Sequence, residues 1–169
     1  MGPTGLVIIG AVVVVLLATI AFALLRRSFA KRYEAVEQAW RQVHAELVRR
    51  QDTAGRLLDV ARGRFDQEEL LRARAHAVAA RGSGPVAQSA AEARLTRALG
   101  GFFQAAQAHP DLVADNGFRM LRWQLGESEH RIAAGVQAYN AMAHAYNARF
   151  SAFPARLGKG KHPQSQLYP

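Results

Sequence analysis

Two short motifs place acid–base or metal-ligand residues at spacings that enzymes use. Glu127 and His130 are three residues apart, the spacing with which helices of di-iron bundles present a carboxylate and an imidazole to a metal. Such a site needs two of these motifs and two more glutamates, and the sequence holds one motif. His44 and Glu46 match part of a zinc deaminase motif, but the chain has no cysteine to complete it. The sequence therefore predicts no catalytic residue, no metal site and no cofactor, and we expect a protein that is not an enzyme.

The start of the chain carries a long uncharged apolar segment. Residues 5–25 would form a helix of about 30 Å, the thickness of a bilayer core, and residues 1–4 would then be a short extracytoplasmic N-terminus. A cleaved signal peptide is the alternative, because Ala21-Phe22-Ala23 has the form of a cleavage site. No basic region precedes the segment, and it is longer than the apolar part of most signal peptides. These features favour a retained transmembrane helix.

The basic residues around this segment predict its orientation. None precedes it, whereas Arg26, Arg27, Lys31 and Arg32 follow it closely. Because basic residues flank membrane spans on the cytoplasmic side, we expect a single-pass protein with its C-terminal part in the cytoplasm. The same four residues are candidates for contact with anionic lipid head groups.

The net charge of +9 raises the question of nucleic-acid binding. The arginines alternate with acidic residues along predicted helices, without interleaved aromatic residues or a recognisable reading motif. We therefore expect no nucleic-acid partner. The absence of cysteine excludes disulfides and thiol chemistry.

The remaining patterns predict an all-α fold with an antiparallel bundle of long helices over residues 26–155. Apolar steps of three and four predict helical segments near 27–62, 66–81, 86–108 and 115–153, and no strand pattern is seen. No Gly or Pro separates the first segment from the membrane span, so the two could be one continuous helix. Residues 156–169 show no periodicity, which predicts a flexible basic tail.

The most regular pattern is a column of apolar residues at intervals of seven, which places them on one side of one helix. Its members are Phe118, Leu125, Ile132, Tyr139, Tyr146 and Phe153. Asn140 and Asn147 follow the two tyrosines, and Pro154 follows the last phenylalanine. Two interpretations stay open: the repeat packs in the core, with asparagines bonding across helices, or it forms a docking face. Trp40 is expected in the core, and Trp123 is the better candidate for an exposed anchor.

These residues resemble the LemA family over nearly the whole chain. The shared positions include Ala39-Trp40, Leu47 with Arg49-Arg50 and Asp52, Leu95, Ala98-Leu99-Gly100, Pro110-Asp111-Leu112, Phe118, Leu121, Leu125, Glu129, Ile132, Tyr139-Asn140, Tyr146-Asn147 and Phe153-Pro154. The resemblance implies a bundle anchored in the bacterial cytoplasmic (inner or plasma) membrane, with the N-terminus outside, and it implies no reaction. Where the family usually has a Pro-Asn pair, this chain has Gly55-Arg56, so a proline kink is expected to be missing.

The function predicted from these features is a membrane-anchored, non-enzymatic interaction or scaffold protein. It would present a cytoplasmic bundle, with coiled-coil-like heptads, to a protein partner such as a membrane protease or an envelope assembly. The residues expected to pack or to contact that partner are Trp40, Tyr139, Asn140, Tyr146, Asn147, Phe153 and Pro154. The alternative is a membrane-organising protein that forms homo-oligomers through its bundle and basic juxtamembrane segment.

Overall fold

The computed structural model describes residues 3–151 and 163–169, and the regular structure of this part of the chain is helical. The helices are α1 (Pro3–Val60), α2 (Glu68–Ala79), α3 (Pro85–Ala106), α4 (Pro110–Ala114) and α5 (Asn116–Ser151). The predicted all-α class is confirmed. The short helix α4 was not predicted, because five residues are too few to show a helical period.

The ends of the helices follow from residues that the sequence marks as caps and breaks. Asp66 accepts a hydrogen bond from the backbone N–H of Glu68 at 2.9 Å, and Asp115 accepts one from Phe118 at 2.8 Å, so each satisfies a free donor of a helix start. Gly82 has a φ of 81° and Gly84 a φ of 90°, a conformation that favours glycine. The turn between α2 and α3 therefore lies where the glycines are.

Helix α1 is continuous from Pro3 to Val60, which confirms the expected single helix. Its side chains over residues 11–24 are exposed. Among the residues that the structure describes, we find no helix that combines the length and the apolar character needed to cross a membrane.

The chain divides into two compact units. The larger unit comprises Gln38–Ala141 and Gln166–Pro169, and its helices pack as a bundle around one apolar core. Leu57, Leu95, Phe102, Phe118 and Leu125 are among the buried members of this core. The smaller unit comprises Met1–Glu37 and Met142–Ser165, and within its described residues Val36, Ala143 and Tyr146 are buried.

The apolar column of α5 is buried at most of its described positions. Phe118, Leu125, Tyr139 and Tyr146 are buried, and Ile132 is half-buried. Phe153 lies outside the described residues. The rings of Tyr139 and Tyr146 are therefore buried in the helical packing.

We predict that Leu125→Ala lowers the free energy of unfolding by about 2–5 kcal/mol, because the truncation leaves a cavity in the core of the larger unit. Met120→Ala on the exposed face of the same helix should change it by no more than about 0.5 kcal/mol. Urea unfolding of both variants measures the difference. Equal unfolding midpoints would contradict the burial of the column.

Candidate functional site

Two buried charged residues meet inside the larger unit. A guanidinium nitrogen of Arg50 on α1 lies 3.1 Å from a carboxylate oxygen of Glu92 on α3, and both side chains are about 95% buried. Arg50 also donates to Thr96 at 2.7 Å and to Glu129 on α5 at 2.9 Å. One arginine therefore ties three helices together.

Gln51 extends this cluster on the other side of Glu92. Its amide nitrogen donates to the second carboxylate oxygen of Glu92 at 2.6 Å and to the backbone carbonyl of Ala77 at 3.3 Å. Its amide oxygen accepts from Arg81 at 2.6 Å, and Arg81 also binds Asp52 at 2.9 Å. Both oxygens of the buried carboxylate are thus satisfied, as burial requires.

Burial raises the pKa of the Glu92 carboxyl above its ordinary value, although the hydrogen bond from Gln51 and the charge of Arg50 act in the opposite direction. The folded chain therefore binds this proton more tightly than the unfolded chain does. In the pH range between the two pKa values, the contribution of Glu92 to the free energy of unfolding falls as the pH rises. Removing the Glu92 carboxylate from water has an unfavourable free energy, and its hydrogen-bond and ion-pair partners offset part of it.

Gly55 allows a second arginine to reach the backbone next to this cluster. A Cβ atom at Gly55 would lie 2.8 Å from the guanidinium of Arg74, and Arg74 donates to the carbonyl of Gln51 at 2.8 Å. A larger residue at position 55 would displace Arg74 from this carbonyl. Since α1 runs through Gly55 without a break, the expected absence of a proline kink agrees with the structure.

The 163–169 segment, which we call the strap, is bound to the larger unit through Asn140. The side-chain amide of Asn140 donates to the carbonyl of Tyr168 at 2.8 Å and accepts from the N–H of Tyr168 at 2.9 Å. The hydroxyl of Tyr139 donates to the carbonyl of Gln166. The ring of Tyr168 packs against Trp40, with 6.0 Å between ring centroids. One asparagine therefore satisfies both backbone groups of one strap residue.

The same arrangement occurs within the smaller unit. Asn147 donates to the carbonyl of Ser165 at 2.8 Å and accepts from the N–H of Ser165 at 3.0 Å. The hydroxyl of Tyr146 donates to the carbonyl of Pro163 at 3.2 Å, and its ring lies 5.9 Å from that of Tyr33. Each Tyr-Asn pair therefore binds its own three-residue part of the strap.

The two Tyr-Asn pairs repeat the same kind of contact at different spacings in sequence. Tyr146 and Tyr139 are seven residues apart, and the carbonyls that they bind, those of residues 163 and 166, are three apart.

These contacts bear on two expectations from the sequence. Asn140 and Asn147 bind the backbone of the strap, a partner that the sequence did not predict. Residues 156–169 were expected to be a flexible tail, but residues 163–169 are held by hydrogen bonds on both Tyr-Asn pairs. Residues 156–162 lie outside the described part of the chain.

The other predicted site residues fall into three groups. Trp40 was expected in the core but is only half-buried, with its ring 5.3 Å from that of Tyr139. Trp123 is 62% exposed, as expected. Arg27, Lys31 and Arg32 are exposed on α1. The side chain of Arg26, and all of Phe153 and Pro154, lie outside the described residues.

The motifs that could hold a metal do not converge. Glu127 lies 3.8 Å from Arg131, and a ring nitrogen of His44 lies 3.1 Å from the amide oxygen of Gln88. Within residues 3–151 and 163–169, no three His, Asp or Glu side chains are grouped so as to bind a metal ion.

Glu92, Gln51 and Gln88 were not singled out from the sequence, although their spacing carries a signal. On α3, Gln88 and Glu92 continue the apolar series Leu95, Leu99 and Phe102 at steps of four and three. On α1, Arg50 falls seven residues after Val43 and seven before Leu57. Polar residues at positions that helical periodicity assigns to the core indicate a buried polar cluster.

We predict that Arg50→Ala lowers the free energy of unfolding by about 3–5 kcal/mol, because it leaves the Glu92 carboxylate buried without its ion pair. Arg49→Ala is the matched control, since Arg49 is the exposed neighbour and its loss should cost no more than about 0.5 kcal/mol. Thermal and urea unfolding compare the two variants. The ion-pair argument fails if they are equally stable.

We predict that Asn147→Ala costs about 1–3 kcal/mol of stability and accelerates hydrogen exchange at the amide of Ser165, because two backbone groups lose their partner. Ser165→Ala is the control: the buried Ser165 hydroxyl has no hydrogen-bond partner among the described residues, so its removal should leave exchange in the strap slow. Amide exchange measured by NMR distinguishes the two variants. Slow exchange in Asn147→Ala would show that other contacts hold the strap.

Comparison with known proteins identifies the relationship that these residues suggested. A family model described as "LemA family" matches residues 39–165, which include the buried ion pair, the two Tyr-Asn pairs and the first strap residues. The comparison with curated proteins finds no match. Since the matched range covers most of the sequence, this chain belongs to the LemA family.

Proposed function

We propose that this protein is a membrane-anchored, non-enzymatic interaction module that presents its helical bundle to a protein partner. The observation that carries the proposal is an exposed apolar patch on α5, formed by Trp123 and Met120. These side chains are 62% and 54% exposed. Large apolar side chains that share an exposed face are typical of protein interfaces.

The patch has the composition of a binding surface. Met120 and Trp123 line a shallow depression of about 600 Å³ together with Asn116 and Arg119. Arg122 is adjacent in sequence, and its guanidinium lies 5.4 Å from the ring centroid of Phe103. Tryptophan and arginine are the residues most enriched among those that dominate binding energy at interfaces. The pair of arginines favours a partner that surrounds an apolar pocket with acidic residues.

Membrane anchoring is supported by the first part of α1. Its described side chains over residues 11–24 are exposed and include Val12, Leu16 and Leu17. This part is about 21 Å long at 1.5 Å per residue, and the uncharged sequence extends it to residues 5–25. We infer that this segment inserts in a bilayer, the bacterial cytoplasmic membrane in a family member of this type.

The charges that follow the segment support its orientation. Arg26, Arg27, Lys31 and Arg32 come after the apolar residues, and none comes before them. We infer that the bundle lies on the cytoplasmic side and that these residues contact anionic head groups.

The inferred non-enzymatic role is supported by the position of one ionic cluster. Arg50 and Glu92 are buried against each other. Their hydrogen-bonding groups hold helices together rather than face a cleft where a substrate could bind.

One experiment tests both parts of the proposal. Membranes containing the full chain, with a photoreactive residue at position 119, are washed with alkaline carbonate and irradiated. The chain should stay in the membrane pellet, and Trp123→Ala should abolish a cross-linked band that Leu71→Ala retains. Leu71 is a suitable control because it is a similarly exposed apolar residue on α2.

The two parts fail in different ways. Recovery of the chain in the carbonate supernatant would refute the anchor. A cross-linked band of equal strength in Trp123→Ala and Leu71→Ala would refute the docking surface.

A further inference from the structure

We propose that the strap is exchanged between copies of this protein, so that residues 163–169 of one copy bind the Tyr-Asn pairs of a second copy. This inference goes beyond the Trp123 surface. It relies on the proposed membrane anchor only to raise the local concentration of copies.

The Tyr-Asn pairs recognise the strap mainly through its backbone. Asn140 binds the N–H and the carbonyl of Tyr168, and Asn147 does the same to Ser165. This reciprocal pattern is the one that neighbouring strands form in a β-ladder, with a side-chain amide in place of a neighbouring strand. The backbone contacts therefore accept any extended segment that enters in this register.

Side-chain specificity comes from Tyr168, within the larger unit. Its ring lies 6.0 Å from Trp40, and burial raises the pKa of its hydroxyl. Ser89 also donates to the carbonyl of Pro169 at 3.4 Å. A tyrosine three residues after the position that Asn147 binds is thus the feature that selects the strap sequence.

A second copy is the partner that offers this sequence in full. Its strap would make the same hydrogen bonds and ring contacts as the chain's own strap, so no contact is lost when straps are exchanged. Residues 163–169 carry no charged side chain, and therefore no charge on the strap itself opposes its entry into a second copy of a protein whose net charge is +9. Exchange of an identical segment is a low-cost route to dimers, and reciprocal exchange closes a symmetric pair. Confinement to a membrane favours it by raising the effective concentration.

The absence of cysteine makes a direct test available. One tagged full-length copy carries Ser89→Cys, a differently tagged copy carries Pro169→Cys, and the two are reconstituted together in phosphatidylcholine–phosphatidylglycerol vesicles. Since Ser89 and the Pro169 carbonyl are in contact, mild oxidation should yield a disulfide between the two tags when the straps are exchanged. We expect Asn140→Ala in the Ser89→Cys copy to reduce this product about tenfold. This factor corresponds to the loss of about 1.4 kcal/mol of hydrogen-bonding free energy.

Three controls make each outcome decisive. Met120→Cys in place of Ser89→Cys measures chance collision, because Met120 is exposed on α5. Trp123→Ala should leave the product unchanged, since the patch on α5 is a separate surface. A single copy with both Ser89→Cys and Pro169→Cys reports the strap on its own chain. Exchange is refuted if this copy closes on itself while the mixed product does not exceed the Met120→Cys level.

Flotation of the vesicles separates failure of the anchor from failure of exchange. Copies that do not float contradict the anchor, and the same oxidation is then repeated in solution at rising protein concentration. If a cysteine variant has lost its helical circular dichroism signal, a second pair of variants replaces the cysteine pair. A copy lacking residues 163–169 should co-elute with a copy that carries Asn140→Ala and Asn147→Ala, because the first has a vacant site and the second has a free strap. Separate elution of this pair overturns the proposal.

Discussion

The ion pair between Arg50 and Glu92 is the interaction on which the larger unit depends. Both side chains are removed from water, and an isolated buried charge would cost several kcal/mol or more. Gln51, Thr96 and Glu129 offset part of this cost by hydrogen-bonding the two side chains, although the buried Nε of Arg50 has no hydrogen-bond partner among the described residues. Sliding α1 by one turn against α3 or α5 would strand these groups. The apolar residues make the bundle stable, and the polar cluster favours one register among those that the apolar residues would permit.

The requirement that polar groups find hydrogen-bond partners also explains how the strap is bound. A segment without regular structure can lie on a helix only if its backbone N–H and carbonyl groups find partners. Asn140 and Asn147 supply both kinds of group from one side chain, and Tyr139 and Tyr146 supply a further donor each. The tyrosines have a second role, because their rings are buried in the helical packing. The Tyr-Asn pair therefore belongs to the packing and to the binding of the strap at once.

Long helices could be predicted because their apolar periods extend over many residues, and their ends because Asp115, Gly82 and Pro85 act locally. The burial of Leu125 and the exposure of Trp123 follow from the same periodicity. The partners of Arg50 and Asn140 could not be predicted, since they lie 42 and 28 residues away in sequence and no local pattern links them. Residues 163–169 were misjudged for a related reason. A segment bound mainly through its backbone has no side-chain periodicity, so it resembles a flexible tail.

The ion pair and the strap meet at Tyr168. The pKa of the Tyr168 hydroxyl is raised by burial first and by the nearby charge of Glu92 second, while a hydrogen bond with Ser89 lowers it. Tyr168 therefore lies in the electrostatic environment of the buried ion pair. A released strap would leave the side-chain amide of Asn140 and the ring of Trp40 without these contacts. The Tyr168 of a second copy would supply the same hydrogen bonds and the same ring against Trp40. The state with an empty site is therefore disfavoured, and this is the physical reason to expect exchange of straps rather than their simple release.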